Sequence, residues 1–138
     1  MAVRAVRGAT QLERDERVHL HERVSELVRT LMEINALSGD DLISIVFTAT
    51  GDIHADYPAY AARRIGLVDV PLLCTRELEI EDGMPRVVRV LAHVETELTR
   101  EDITHVYLHG AANLRRDLTH VRAIPDDSDD SDDESADG

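Results

Sequence analysis

Along the chain the period of the hydrophobic pattern changes several times, and each change marks an element. Residues 2–9 (AVRAVRGA) read as a strand that ends at Gly8. Thr10 and Glu13 have the spacing of a capping box, which predicts a long helix beginning between residues 11 and 15. Val18, Val24, Leu27, Val28, Leu31 and Ile34 recur at helical spacing and form its buried face, and Ser38-Gly39-Asp40 stops it. Leu42–Thr48 (LISIVFT) is a short, nearly continuous apolar run, the pattern of a buried strand. After a loop over Ala49–Asp56, Pro58 suits the first turn of a second helix, about 58–65, closed by Gly66. Val70–Cys74 reads as another short strand, and Glu81-Asp82-Gly83 as a turn. Arg86–Glu95 alternates clearly, Thr99–Asp102 resembles a capped helical turn, and Thr104–His109 is a last strand. The order β-α-β-α-β-β-turn-β predicts an α+β or mixed α/β domain, a mixed β-sheet packed with helices.

The alternation also shows polar residues on apolar faces. In the 86–95 strand Val88, Val90, Ala92 and Val94 share one face, and Arg89 lies on the other with Val87, Leu91 and His93. Tyr107 shares a face with His105 and His109, and Arg7 with Val3 and Ala5. An arginine among aliphatic neighbours either snorkels over an apolar edge or needs an anionic partner. Two such strand arginines beside a strand tyrosine could bind a small carboxylate ligand. The pattern leaves both readings open.

Composition narrows the class. The chain has 138 residues, enough for one domain, and is 43% hydrophobic with 3% aromatic, no Trp and Phe47 as its one Phe, so the core must be aliphatic. No apolar run approaches the roughly 20 residues of a membrane span. The opening MAVRAVRGAT lacks the apolar stretch of a signal peptide, and the lone Cys74 has no internal disulfide partner. A cytoplasmic protein is expected. The net charge is −13, but residues 126–138 hold eight acids and no base, which leaves 20 acids against 15 bases in the rest. That mildly acidic balance argues against nucleic acid as a partner. All the bases are arginine, as a GC-rich genome or a salt-adapted proteome would produce. The expected division is a folded domain over residues 1–122 and an acidic, disordered tail over 123–138.

Most catalytic equipment is missing. There is no Walker loop, GxGxxG, HExxH or GxSxG, and no Cys–His spacing suited to zinc. His19 and His21, two apart on the predicted helix, read as part of a solvated face. Cys74 is either a nucleophile or an inert buried thiol. What remains is arginine, glutamate and tyrosine, a set suited to orientation and electrostatics.

Several segments taken together resemble one family. Val6–Thr10 (VRGAT) with Glu13-Arg14-Asp15, the loop Thr48-Ala49-Thr50 with Asp52, His54-Ala55 and Pro58-Ala59, and Val70–Ile80 (VPLLCTRELEI) are similar to small, trimeric chorismate mutases. So are Arg86–Leu91 (RVVRVL) and His105–Leu118 (HVYLHGAANLRRDL). The likeness is collinear over about residues 2–118. It implies a mixed sheet flanked by helices, three chains forming a pseudo-α/β-barrel homotrimer with active sites at subunit interfaces, and isomerisation of chorismate to prephenate without cofactor or metal. By the same resemblance Arg89 is the catalytic arginine that meets the ether oxygen of the breaking C–O bond. Arg7 and Tyr107 hold the enolpyruvyl carboxylate, and Glu77 binds the substrate hydroxyl with Cys74 beside it. Arg63 and Arg115 are basic positions near the mouth, and Tyr57 is an aromatic wall. Tyr60 stands where some relatives carry a lysine, so a charge is absent there.

Two other functions stay open at this point: an enamine/imine deaminase of similar trimeric fold, and a non-catalytic carboxylate-binding or regulatory protein. The acidic tail departs from the family, whose C-termini are short. It reads either as a solubilising appendage or as a segment that repels the dianionic substrate or competes for arginines at the mouth. Truncation at Pro125 separates these, because only the second lowers KM at low salt and loses the effect at high salt.

Overall fold

A computed structural model describes residues 1–114 and the strand 121–124. Its strands are β1 (Ala2–Gln11), β2 (Leu42–Ala49), β3 (Leu72–Arg76), β4 (Val87–Thr96), β5 (His105–Leu108) and β6 (Val121–Ile124), and its helices are α1 (Arg17–Ile34) and α2 (Pro58–Arg64). They form a mixed six-stranded sheet in the order β3-β2-β4-β1-β5-β6. β4 pairs antiparallel with both β1 and β2, while β2–β3, β1–β5 and β5–β6 are parallel. This is the expected α+β architecture. Among the described residues no helix is long and apolar enough to cross a membrane.

Both helices cover the same face of the sheet. Leu20, Val24, Leu27, Val28 and Leu31 from α1 pack with Val6, Val88, Val90, Val94 and Val106 and with Ala61 and Ala62 of α2. The core is aliphatic as expected, around a fully buried Phe47. Among the described residues the other face is covered at one end only, where Ala9, Val87 and Tyr107 pack with Ala111 of the short 3-10 turn His109–Asn113. Elsewhere on it Val3 is 59% and Leu91 36% exposed, and Ala5 and Arg7 are also exposed. That alternation belongs to a sheet with one free side.

Four expectations need correction. Thr10 is no helix cap. β1 runs on to Gln11 because β4 supplies pairing partners as far as Val87. The cap is Glu16, whose carboxylate accepts from the Val18 and His19 amides at 3.3 and 3.0 Å. β3 spans Leu72–Arg76 rather than 70–74, because pairing with β2 carries it past the apolar run to Ala49↔Arg76. His19 and His21 are buried at 5% and 8% exposure, because flanking loops fold over the first turns of α1, and Val18 is exposed instead. His109 leaves the strand face at φ 55 and its Nε2 sits 2.8 Å from Glu26 on α1. β6 had no apolar signal of its own. The short α2, with Pro58 at its start, and the left-handed Gly66 at φ 104 match expectation. The acidic segment and Arg115 lie outside the described residues.

Candidate active site

Arg89 lies mid-strand on β4, between Ala9 of β1 and Thr48 of β2. Its neighbours Val88 and Val90 are buried under the helices, so the arginine projects to the open side. Glu77 follows β3 directly, and its amide extends the ladder by donating to the Ala49 carbonyl at 3.0 Å. Its Oε2 then accepts from the Thr48 hydroxyl at 2.6 Å and from Arg89 Nε at 2.8 Å. Of the two readings left open for Arg89, the structure shows the anionic partner: it is Glu77, whose side chain is only 13% exposed. Thr48 completes the pair. In the sequence it stood in the Thr48-Ala49-Thr50 segment of the family likeness, with no site role assigned to it.

Beside this pair, β1 brings Arg7 and β5 brings Tyr107, set by the parallel register Ala9↔Tyr107. Arg7, Gly8, Val46, Thr48, Arg89, Leu91 and Tyr107 line a cavity of about 440 Å³. That size suits a small metabolite. Arg89 keeps its terminal nitrogens unbonded among the described residues, and Arg7 is exposed at the rim with no carboxylate partner among them. Two guanidinium groups against one carboxylate leave the cavity cationic. A small anion is the ligand it fits.

Residues 3–118 match the family described as Chorismate mutase type I. The chain belongs to that family. It is 41% identical over 117 residues to chorismate mutase AroH of Thermus thermophilus, covering 84% of this chain and 96% of that one. It is 34% identical over 120 residues to chorismate mutase AroH of Bacillus subtilis (strain 168), covering 86% and 94%. Among solved structures it resembles a chorismate mutase from Clostridium thermocellum at 38% identity and TM-score 0.78, covering 79% of this chain and 97% of that one.

The motifs that carry the family likeness meet in space around the 50–58 loop. The Asp15 carboxylate accepts from the His54 and Ala55 amides at 2.9 and 3.0 Å. Asp52 accepts from the Thr50 hydroxyl at 2.6 Å and from the Arg86 amide at 3.1 Å. The ERD and DxHA segments of this type I chorismate mutase sequence are thus two halves of one hydrogen-bonded frame.

The remaining expected site residues lie apart from the Arg89 cavity within one protomer. Cys74 and Tyr57 line a separate groove of about 530 Å³ with Ile53, Pro58, Thr75 and Arg76. Burial pushes the Cys74 thiol up, and the hydrogen bond from the Ala59 amide offsets this only in part. Such a thiol is a poor nucleophile near neutral pH. Tyr57 is 72% exposed. Tyr60 leans on the His21 ring, with centroids 5.8 Å apart, and Arg63 is exposed on the last turn of α2. Among the described residues no group of His, Cys, Asp and Glu could hold a metal ion.

Proposed function

We propose that this protein is a chorismate mutase, an isomerase that converts chorismate to prephenate on the route to phenylalanine and tyrosine, acting in the cytoplasm. The observation that carries the reading is Arg89, ion-paired to Glu77 and lining a cavity together with Arg7 and Tyr107. The rearrangement is intramolecular and pericyclic: one C–O bond breaks as one C–C bond forms, and no proton or electron leaves the molecule. The site has to hold the enolpyruvyl arm over the ring and place fixed positive charge where the transition state gains negative charge. Arg89 Nε is anchored on Glu77, which leaves the far side of the guanidinium for the ether oxygen and a carboxylate. Arg7 and Tyr107 take the enolpyruvyl carboxylate, and Glu77 takes the ring hydroxyl. Val46 and Leu91 supply apolar surface beside these groups, and covering it with a neighbouring subunit would exclude water and strengthen each contact.

A homotrimer is part of the proposal. Its support is the largely uncovered face of the sheet, with Val3 and Leu91 exposed, and the distribution of expected site residues over two separate cavities of one protomer. Packing of neighbouring subunits would bring Tyr57 and Arg63 of one chain toward Arg89 of the next. The deaminase and binding-protein alternatives have no support, since relatives covering most of the chain bear the name chorismate mutase. The decisive experiment follows loss of chorismate's ultraviolet absorbance with purified protein and confirms prephenate as product. Sedimentation tests the trimer. A folded protein that leaves chorismate unchanged would sink the assignment.

A further inference from the structure

The wall that carries Tyr57 and Arg63 is fastened to the body of the protein by a histidine with no role in the chemistry above. His21 sits one turn into α1 and is 8% exposed. Its Nδ1 lies 3.0 Å from Arg64 Nη1, in the last turn of α2. An arginine can only donate, so Nδ1 is the acceptor and the ring proton resides on Nε2. That Nε2–H donates to Asp56 Oδ2 at 2.8 Å. Asp56 in turn accepts from the Tyr57 amide at 2.7 Å through its other oxygen and meets Arg17 Nε at 3.3 Å. Burial opposes charge on Asp56, yet the Tyr57 amide, His21 and Arg17 together hold its carboxyl below the usual range. One imidazole thus grips both ends of the Asp56–Arg64 segment, and Tyr60 packs against the same ring.

We propose that His21 is a positioning residue: with Asp56 and Arg64 it latches α2 to α1 and so sets where Tyr57 and Arg63 stand for substrate binding. The proposal rests on the chorismate mutase reading for its kinetic consequence, while the latch itself is independent of that reading. Two single hydrogen bonds that join elements 35 and 43 positions apart in the chain do this work. No charged group of the Arg89–Glu77 pair touches His21, so the latch governs binding rather than the electrostatic step.

The test compares His21→Leu, which fills the space but can neither donate nor accept, with His21→Gln, whose amide offers one donor and one acceptor. In His21→Leu, KM for chorismate rises about tenfold, the size of one lost charge-assisted hydrogen bond, with kcat within about twofold. In His21→Gln, KM returns most of the way to wild type. Hydrogen exchange of the free protein gives a readout that needs no substrate: amides between residues 54 and 65 exchange faster in His21→Leu and at near wild-type rates in His21→Gln. If His21→Leu does not fold, Arg64→Met breaks one end of the latch and is held to the same two readouts. Unchanged KM and unchanged exchange in a folded variant overturn the proposal, as does a loss confined to kcat or a failure of glutamine to restore either readout. Faster exchange restored by glutamine, in a protein whose wild type ignores chorismate, keeps the latch and removes the function proposed above.

Discussion

Replacing Arg89 by alanine removes two interactions that the structure lets us weigh separately. The first is catalytic. A unit charge about 4 Å from a developing negative charge contributes roughly 4 kcal/mol at an effective dielectric near 20. Removing one donor that meets an oxyanion in other enzymes costs about 3–4 kcal/mol, or 10²–10³ in rate. Both routes put the expected fall in kcat near 10³-fold. The second is structural. Glu77 loses a cation at 2.8 Å but keeps the Thr48 hydroxyl at 2.6 Å. A hydrogen bond to a charged group contributes about 1.5–3 kcal/mol. Because the Arg89 side chain is 38% exposed, solvent screening reduces this to about 1 kcal/mol. The variant should therefore fold, with a small drop in Tm and unchanged sedimentation. Arg89→Lys keeps the charge but loses the fork, so one ammonium must serve Glu77 and substrate in turn. It should fall between wild type and alanine. The assay is the decay of chorismate absorbance under saturating substrate, with circular dichroism on the same samples. A folded Arg89→Ala enzyme with kcat within tenfold of wild type would refute the mechanism.

Three further outcomes can be checked. A methyl group at Gly8 would lie 2.7 Å from the Val106 carbonyl oxygen and 3.2 Å from both Leu27 Cδ1 and Val90 Cγ1. Gly8→Ala should thus strain the β1–β5 pairing and destabilise the fold by about 1–3 kcal/mol, seen as a lower Tm; an unchanged Tm would contradict that contact. Burial, then the charges of Arg23 and Arg14, lower the pKa of His19 in the folded state. Its ring nitrogen also accepts from the Glu13 amide at 3.0 Å, a bond only the neutral ring can make. The unfolded chain then binds the proton more readily, so His19 contributes stability above its ordinary pKa near 6.5 that is lost as pH falls below that value. The slope of denaturant stability against pH between 5 and 7 should shrink in His19→Gln, and an identical slope would exclude His19 as its source. With its thiol pushed up by burial, Cys74 should alkylate slowly at pH 7 and accelerate only in alkaline solution, as followed by intact mass. Rapid labelling at neutral pH would show that the thiol is not shielded as the structure has it.

Much of the fold was legible because its signals are local. The nearly continuous run LISIVFT, the alternation of Val88, Val90, Ala92 and Val94, and the Pro58–Gly66 bracket each specify an element without reference to distant residues. The candidate site was legible in part. Arg89 among Val87, Leu91 and His93 suggested either a snorkelling side chain or an anionic partner, and the family motifs named Glu77, Arg7 and Tyr107. The anchoring role of Thr48 was not legible, since a hydroxyl at the end of an apolar strand is equally at home with no ligand nearby. The burial of His21 was hidden for a related reason: the loop that covers it comes from residue 56.

Side-chain chemistry and short-range spacing decided the aliphatic core, the amphipathic first helix, the strands β2 and β4 and the place of Arg89 on a semi-apolar face. Tertiary pairing decided the rest. Its reason is that the competing free energies lie between segments rather than within them. β1 extends through Thr10 because β4 offers hydrogen bonds there. β3 slides two residues to pair with β2, and only that slide brings Glu77 to the end of the strand, where it meets Arg89 and Thr48. A pattern of apolar positions says which face a residue prefers; it takes the sheet to say which charge stands opposite.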